Sequence, residues 1–204
     1  MIFDADAEAR EYLGSLTPVP LVGLAGAGRS GKDTAADGLG GWGFQRVAFA
    51  DPLRALALRL DPMMEVRGPG GRGLSYTGLS ALVERLGWDT AKAASKDVRA
   101  YLVALGHGVR ETVDEGVWQR AAMARVDATS SPVVVTDVRY ASEAETIRER
   151  GGVVLRVDRP GVAPANEHEA EFLAEFVPDG IIGNTRGVER LHAMTRTAVW
   201  AQFV

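Results

Sequence analysis

Short apolar runs alternate with longer stretches of helical periodicity along most of the chain, and this alternation predicts an α/β fold. The runs have the length of strands and lie at 21–25, 44–50, 133–136, 153–157 and 180–183. The first three residues of the 133–136 run are all valine, which is typical of a strand buried on both faces. Strands that alternate with helices form parallel sheets with right-handed crossovers. We therefore expect a parallel five-stranded sheet with helices on both faces.

The segments between these runs carry helical periodicity and are bounded by glycine and proline. We predict helices at 3–14, 32–39, 53–60, 79–94, 96–105, 115–128, 140–150 and 187–203. The glycine-rich stretch from Gly68 to Gly78 predicts a mobile surface loop. Since the chain has no internal repeat, we expect a single domain over residues 1–204.

The first strand runs into a glycine-rich loop that nearly matches a phosphate-binding pattern. That pattern is G-x-x-x-x-G-K followed by Ser or Thr, and Gly26, Gly31 and Lys32 fit it. Asp33 stands where the hydroxyl residue is expected, and Thr34 comes one position later. The chain has only three lysines against twenty arginines. A G-x-x-x-x-G-K match is therefore expected by chance only about 0.04 times, which refines the average-composition prior.

A strand, a glycine loop and a helix in this order are the context that the phosphate-binding motif requires. In that reading, backbone N–H groups of 28–33 surround the β-phosphate of a nucleotide at a helix N-terminus. Lys32 then bridges the β- and γ-phosphates. The alternative is a glycine-rich turn between strand and helix in another doubly wound fold.

Two carboxylates follow apolar strands and are expected at the same edge of the sheet as this loop. Asp137 follows the 133–136 run, which is where an acid that holds Mg²⁺ is placed in such proteins. It could instead form a buried pair with Arg139. Asp51 follows the second strand together with Arg54, and its alternative role is that of a helix N-cap ahead of Pro52.

Several arginines are candidates to bind phosphate. Arg99 and Arg110 lie on predicted helices and could grip an acceptor phosphate through two hydrogen bonds each, or could be solvated surface residues. Arg156 and Arg159 flank the irregular segment 158–166. Arginines on a mobile flap can close onto a transferring phosphoryl group and neutralise its charge.

Composition and charge exclude several other functions. The net charge of −4 argues against a dominant nucleic-acid-binding surface. The absence of cysteine excludes disulfides and thiolate metal sites. No apolar run is long enough to span a membrane, and the acidic start lacks the pattern of a secretion signal. We therefore expect a cytoplasmic protein whose partners are small molecules, and we leave open whether it forms a homodimer.

Taken in order, these elements resemble the phage-type deoxynucleoside monophosphate kinases, within the P-loop nucleoside-monophosphate kinase group. In that family the loop is similar, with Asp after Lys, so the unusual Asp33 is part of the likeness. The resemblance covers nearly the whole chain after residue 20. It rests on GlyArgSerGlyLysAspThr at 28–34, PheAlaAspProLeuArg at 49–54, the ValArg to Trp series at 98–118, the ThrAspValArgTyr to GluAlaGlu series at 136–145, GlyGlyValValLeuArgVal at 151–157, HisGluAlaGlu at 168–171 and IleIleGlyAsn at 181–184.

The resemblance implies a three-layer P-loop NTPase fold with a helical acceptor-binding region at about 51–128 and a lid at about 156–171. It implies transfer of the γ-phosphoryl group of ATP to a deoxynucleoside 5′-monophosphate, with Mg²⁺ as the metal. In a phage the location would be the host cytoplasm.

The same resemblance implies a role for each candidate residue. The catalytic residues would be Lys32, Arg139, Arg156 and Arg159. The ATP site would comprise Gly26, Gly28, Arg29, Ser30, Gly31, Lys32, Asp33, Thr34 and Asn184. The acceptor site would comprise Asp51, Arg54, Arg99, Arg110, Trp118 and Arg139. The Mg²⁺ site would comprise Asp33 and Asp137.

Two other functions compete with this interpretation. The first is another small-molecule kinase of the same fold, such as a dephospho-coenzyme A or phosphomevalonate kinase. The second is a nucleotide-binding protein that has lost phosphoryl transfer. The presence of Lys32, Asp137 and the two lid arginines favours an enzyme over the second alternative.

Overall fold

A parallel five-stranded sheet forms the centre of the structure, a computed structural model that describes residues 5–67 and 73–204. Its strands are β1 (Leu21–Ala25), β2 (Gln45–Val47), β5 (Val133–Val138), β6 (Val153–Asp158) and β7 (Gly180–Gly183), arranged in the order β2-β5-β1-β6-β7. All four pairings are parallel. The predicted α/β class with a five-stranded parallel sheet is confirmed.

Helices pack on this sheet and surround a buried core. They are α1 (Ala5–Ser15), α2 (Lys32–Asp37), α7 (Ala141–Arg148), α8 (Glu167–Glu175) and α9 (Gly187–Phe203), with a short 3₁₀ helix at Gly40–Trp42. The core joins apolar side chains of the central strands to those of the N- and C-terminal helices, among them Leu24, Leu155 and Leu191. Burial of such side chains is the main force that holds these layers together.

The chain divides into two compact units. The first comprises the residues before Ala50 together with Met123–Val204, and the second is Ala50–Ala122. The second unit contains the helices α3 (Asp51–Leu60), α4 (Leu79–Ala94) and α5 (Lys96–Thr112), and the boundary falls within α6 (Val117–Asp127). It has a hydrophobic core of its own, which includes Met64, Leu82 and Val98.

The second unit also contains an antiparallel hairpin that the sequence analysis missed. Strand β3 (Met63–Arg67) pairs with β4 (Leu74–Gly78), so the prediction of a loop from Gly68 to Gly78 is wrong for 74–78. Of the remainder, 68–72 lies outside the described residues, and Gly73 belongs to no strand or helix. The side chains of Leu74 and Tyr76 are exposed. A strand with an exposed apolar face gives no clear alternation of apolar and polar residues, and the neighbouring glycines favoured a loop.

Most other element boundaries agree with the sequence to within a few residues. Helix α5 is longer than predicted and continues through Gly106 and Gly108 to Thr112. Strand β5 is longer too, so that Asp137 lies within the strand and does not follow it. In the described part of the chain, no helix has both the length and the apolar character needed to cross a membrane.

Candidate active site

The glycine-rich loop connects the end of β1, at Ala25, to the start of α2, at Lys32. Gly26 has a φ of 141°, and a Cβ atom there would lie 2.5 Å from the carbonyl oxygen of Val157. Only glycine can therefore occupy this position without displacing strand β6. Within the loop, the N–H of Ser30 donates to the carbonyl oxygen of Ala27 at 3.0 Å. The result is a tight turn that opens directly into a helix N-terminus, as anion-binding loops require.

The side chain of Lys32 folds back over this loop and is only 8% exposed. Its Nζ donates to the carbonyl oxygen of Gly26 at 2.6 Å and to that of Ala27 at 3.0 Å. Burial lowers the pKa of Lys32, and the charge of Arg139 acts in the same direction. Three carboxylates oppose this shift in pKa: Glu169, Asp33 and Asp137. A buried ammonium group is thus held within the loop and is surrounded by charges of both signs.

Asp137 lies near the end of β5, and its Oδ1 accepts a hydrogen bond from the backbone N–H of Phe49 at 2.7 Å. It is close enough to Lys32 to affect the pKa of that residue. The sequence-based expectation that Asp137 lies near the glycine loop is therefore met in the structure.

Glu143 is a buried carboxylate of this region that sequence reasoning missed, and it is only 7% exposed. Its Oε2 accepts hydrogen bonds from the N–H groups of Arg139 at 2.7 Å and Tyr140 at 3.2 Å, and so fixes the turn between β5 and α7. Burial raises the pKa of Glu143 to about 8. The signal that could have found it is its position in the first turn of a helix that follows a strand, where carboxylates cap free N–H groups.

Asp33, a predicted metal ligand, has a protein partner in the structure. Its carboxylate forms an ion pair with Arg46 of β2, and the Asp33 side chain is 78% exposed. Arg46 also pairs with Asp37, one turn further along α2, at 2.8 Å. The positive charge next to Asp33 is therefore the guanidinium of Arg46, a residue that sequence reasoning did not single out.

The two predicted lid arginines lie next to a cavity of about 400 Å³ that borders the glycine loop through Ala27 and Ser30. Arg156 forms an ion pair with Asp158 at 3.0 Å, while Nη1 of Arg159 donates to the carbonyl oxygen of Arg29 at 3.5 Å. Ser30 Oγ is buried and has no hydrogen-bond partner among the described residues. A buried hydroxyl of this kind is a polar group that a ligand could satisfy.

A second cavity, of about 330 Å³, also borders the loop and shares Arg159 with the first. It is bordered by Gly31, Thr34, Arg159 and Asn184. The side chain of Asn184, just after β7, donates through Nδ2 to the carbonyl oxygen of Ser30 at 2.8 Å. The structure therefore brings together Thr34 and Asn184, which are 150 residues apart in sequence and were both predicted to bind ATP.

Glu169 is a second buried carboxylate that faces the loop. It lies in the first turn of α8, and its Oε2 accepts from the N–H of Ala165 at 2.6 Å. A Cβ atom at Gly28 would lie about 4 Å from both carboxylate oxygens of Glu169. Asn166 caps the same helix by accepting from the N–H of Glu169 at 2.9 Å. The spacing Asn166-x-x-Glu169 is a capping-box signature that the sequence displays.

Five of the residues predicted to bind the acceptor lie in the second unit: Asp51, Arg54, Arg99, Arg110 and Trp118. Arg54 pairs with Asp51 at 3.6 Å, and its guanidinium lies 5.9 Å from the centre of the Trp88 ring. Trp118 donates from Nε1 to the carbonyl oxygen of Gly106 at 3.1 Å. Two further arginines complete the predicted set: Arg110 is within 3.9 Å of Glu115, and Arg99 is exposed.

No family model matches the chain. By sequence, it is 28% identical over 194 residues to a protein of Acanthamoeba polyphaga mimivirus named "Putative deoxynucleotide monophosphate kinase". The match covers 88% of this chain and 95% of the viral protein. The predicted family resemblance is confirmed. The similarity supports a nucleotide phosphotransferase.

Two solved structures match the chain over most of its length. The crystal structure of TT1252 from Thermus thermophilus superimposes with a TM-score of 0.52 at 18% identity, and the match covers 91% of this chain and 98% of that one. Dephospho-CoA kinase from Campylobacter jejuni gives a TM-score of 0.43 at 13% identity, covering 87% of this chain and 94% of that one. The first of these likenesses supports the fold alone.

Proposed function

We propose that this protein transfers the γ-phosphoryl group of ATP to a deoxynucleoside 5′-monophosphate, giving a deoxynucleoside diphosphate and ADP. The observation that carries the proposal is Lys32, a buried cation laid across a glycine loop between a parallel strand and a helix N-terminus. The sequence similarity to the mimivirus protein supplies the class of acceptor.

The loop fits the triphosphate of ATP. The turn requires glycine at position 26, and Lys32 provides the charge. Ser30, whose buried hydroxyl has no hydrogen-bond partner among the described residues, lines the larger of the two cavities. In the proposed complex, Lys32 leaves the carbonyl oxygens of Gly26 and Ala27 and binds the β- and γ-phosphates. Gly28, Arg29, Gly31 and Thr34 complete the phosphate site, and Asn184 borders the nucleoside.

Asp137 is the residue that best fits a magnesium ion. Mg²⁺ binds proteins through one or two carboxylates together with substrate phosphates and water, so a large cluster of ligands is not required. In the described part of the chain, no group of three or more His, Cys, Asp or Glu side chains could hold a metal by itself. When bound, the ion would neutralise negative charge on the phosphates. Asp33 is proposed as a second ligand, in competition with its pairing to Arg46.

Phosphoryl transfer of this kind depends on positioning and on charge neutralisation, with little covalent chemistry for the protein to perform. We assign Arg156 and Arg159 to the charge that develops on the transferring group. Arg139, fixed at its backbone by Glu143, would hold the acceptor phosphate. No general base is needed, because the acceptor phosphate is already an anion at neutral pH.

For the acceptor, we propose the polar groups of the second unit. Arg54, Arg99 and Arg110 carry the positive charge that the phosphate of a nucleoside monophosphate requires. Asp51 can accept hydrogen bonds from the nucleoside, and Trp118 offers an aromatic surface. Arg54 already pairs with a carboxylate and lies over Trp88. A guanidinium oriented in this way loses little side-chain freedom when it binds phosphate.

A panel of acceptors tests the proposal directly. Purified protein is incubated with radiolabelled ATP, Mg²⁺ and each of the four deoxynucleoside monophosphates, their ribose counterparts, dephospho-coenzyme A or phosphomevalonate. We expect label to transfer to at least one deoxynucleoside monophosphate. Transfer only to dephospho-coenzyme A or phosphomevalonate would favour another small-molecule kinase. Tight ATP binding with no acceptor-dependent ADP release would identify a non-catalytic nucleotide-binding protein.

Two lysine variants provide the control for this panel. Lys32→Ala should lower turnover roughly 100-fold or more, as loss of a group that stabilises transition-state charge does. Lys96, an exposed lysine at the start of α5, is the matched control. Lys96→Ala should retain the wild-type rate. An unchanged rate in a folded Lys32→Ala protein would remove the assignment of the phosphate-binding loop.

A further inference from the structure

Asn184 forms hydrogen bonds both to the glycine loop, through its side chain, and to the end of a strand, through its backbone. Its Nδ2 donates to the carbonyl oxygen of Ser30 at 2.8 Å. Its backbone N–H donates to the carbonyl oxygen of Asp158 at 2.7 Å, directly after the last paired residues of β6 and β7. Asn184 therefore connects the ends of two strands to the middle of the loop.

The contact is so close that it restricts which residue can occupy position 31. A Cβ atom at Gly31 would lie 2.6 Å from Nδ2 of Asn184, and Gly31 has a φ of 102°. Since real Cβ atoms do not approach other atoms this closely, any side chain at position 31 would displace Asn184 from the loop. The second glycine of the motif thus accommodates both an unusual backbone conformation and the amide group of Asn184.

Fixing the Ser30 carbonyl also fixes a hydrogen-bond donor. The Ser30–Gly31 peptide is trans, and in a planar trans peptide the carbonyl oxygen and the N–H point in opposite directions. Because the Ser30 oxygen is held towards Asn184, the N–H of Gly31 is directed away from it. That N–H is one of the backbone donors proposed to bind phosphate. The amide group of Asn184 therefore determines the direction in which the N–H of Gly31 points.

We propose that Asn184 is a positioning residue for the phosphate loop: its side-chain amide holds the Ser30–Gly31 peptide in the orientation that binds phosphate. Asn184 also borders the cavity next to Gly31 and Thr34. A ligand in that cavity would contact the same residue that orients the loop. The proposal rests on the proposed nucleotide binding by this loop, and it adds a role for Asn184 that does not depend on contact with a base.

Inorganic tripolyphosphate is the probe that isolates this role, because it has no base or sugar. Asn184→Leu replaces the amide by an apolar group of similar size that cannot form hydrogen bonds. Gln202→Met is the matched control, since Nε2 of Gln202 also donates to a backbone carbonyl, that of Asp179, before the start of β7. Calorimetry should give about fivefold weaker tripolyphosphate binding for Asn184→Leu, the equivalent of one neutral hydrogen bond, and no change for Gln202→Met.

Several outcomes would overturn the proposal. Wild-type affinity of Asn184→Leu for tripolyphosphate would do so, and so would a loss confined to ATP, since Asn184 would then act through the base alone. If Asn184→Leu does not fold, as judged by thermal unfolding, Asn184→Ala replaces it. Failure of the wild type to bind tripolyphosphate would remove both this proposal and the phosphate site. An absence of deoxynucleotide turnover with the expected tripolyphosphate result would remove only the proposed acceptor.

A double-mutant cycle provides an independent test of the close contact. Gly31→Ala should weaken tripolyphosphate binding in the wild-type background through backbone strain and through the collision with Asn184. In the Asn184→Ala background the collision is absent, while the strain remains. The factor by which Gly31→Ala weakens tripolyphosphate binding should therefore be smaller in that background, by about threefold or more. A difference of this size is in the range found for residues in contact. Equal losses in the two backgrounds would contradict the contact.

Discussion

At the scale of single residues, Asp33 has two competing partners. The phosphate-loop pattern places a magnesium-binding hydroxyl at its position, while in the structure its carboxylate pairs with Arg46. An exposed pair of this kind contributes little to stability, so a divalent cation beside a triphosphate could replace it. The pair would then hold the carboxylate near the loop until the metal is bound.

This exchange predicts an altered Mg²⁺ requirement for Asp33→Ser. The substitution introduces the hydroxyl of the usual motif and removes a charged oxygen ligand, so a Mg²⁺ titration of the initial rate should have its midpoint shifted to a different concentration. Asp37→Ser is the matched control, because Asp37 shares Arg46 but lies one turn further from the loop. A midpoint unchanged from that of the wild type would count against Asp33 as a metal ligand.

Glu143 predicts a dependence of stability on pH. Its pKa rises from an ordinary value of 4.5 to about 8 on folding, chiefly because it is buried. Below pH 4.5 the carboxyl is protonated in both the folded and the unfolded state, and its contribution to the free energy of unfolding is fully present. Between pH 4.5 and about 8 the unfolded chain ionises first, so the free energy of unfolding falls as the pH rises.

Urea denaturation at several pH values checks this prediction. Relative to the wild type, Glu143→Gln should gain stability as the pH rises from 5 to about 8, since glutamine does not titrate. Glu145→Gln, an exposed position on the same helix, should keep the wild-type profile. Parallel profiles for the wild type and Glu143→Gln over this range would contradict the raised pKa.

At the scale of elements, the connection between β1 and α2 is the most constrained turn of the site. Gly26→Ala forces a side chain into a φ of 141° and against the carbonyl oxygen of Val157. We expect a loss of about 1–3 kcal/mol in the free energy of unfolding, the usual cost of such strain, together with weaker ATP binding.

Gly40→Ala provides the control for this turn. Gly40 lies in the 3₁₀ helix, and a Cβ atom there would meet nothing within 4 Å. Its stability in urea should equal or slightly exceed that of the wild type. A Gly26→Ala protein as stable as Gly40→Ala would show that the turn can relax, and that the glycine is not required by the fold.

The central sheet was predictable from sequence because its strands are buried on both faces and therefore appear as continuous apolar runs. The hairpin β3–β4 was not, since Leu74 and Tyr76 are exposed and glycines adjoin them. The same limit applies to the site. The glycine loop and Asp137 follow from a local motif, whereas the contacts of Asn184 with Ser30 and of Asp33 with Arg46 join residues from different elements. Such contacts arise only after the chain has folded.

At the scale of the whole molecule, the two compact units allow donor and acceptor binding to be separated by mutation. The glycine loop, Asp137 and Asn184 all belong to the first unit, and Arg54 belongs to the second, which has its own core. If the second unit supplies acceptor contacts, as proposed, substitutions within it should alter acceptor binding and leave ATP binding unchanged.

Arg54→Ala is the sharpest test of this division. The loss of a charged hydrogen bond to phosphate should raise the KM for the acceptor about tenfold or more, while the affinity for ATP, measured by calorimetry without acceptor, stays the same. Arg59→Ala, at an exposed position on the same helix α3, is the matched control and should change neither constant. Because Arg54 also lies over Trp88, thermal unfolding must be compared for both variants. Equal weakening of ATP and acceptor would indicate a general loss of structure, and an unchanged acceptor KM in a stable Arg54→Ala protein would exclude this residue from the acceptor site.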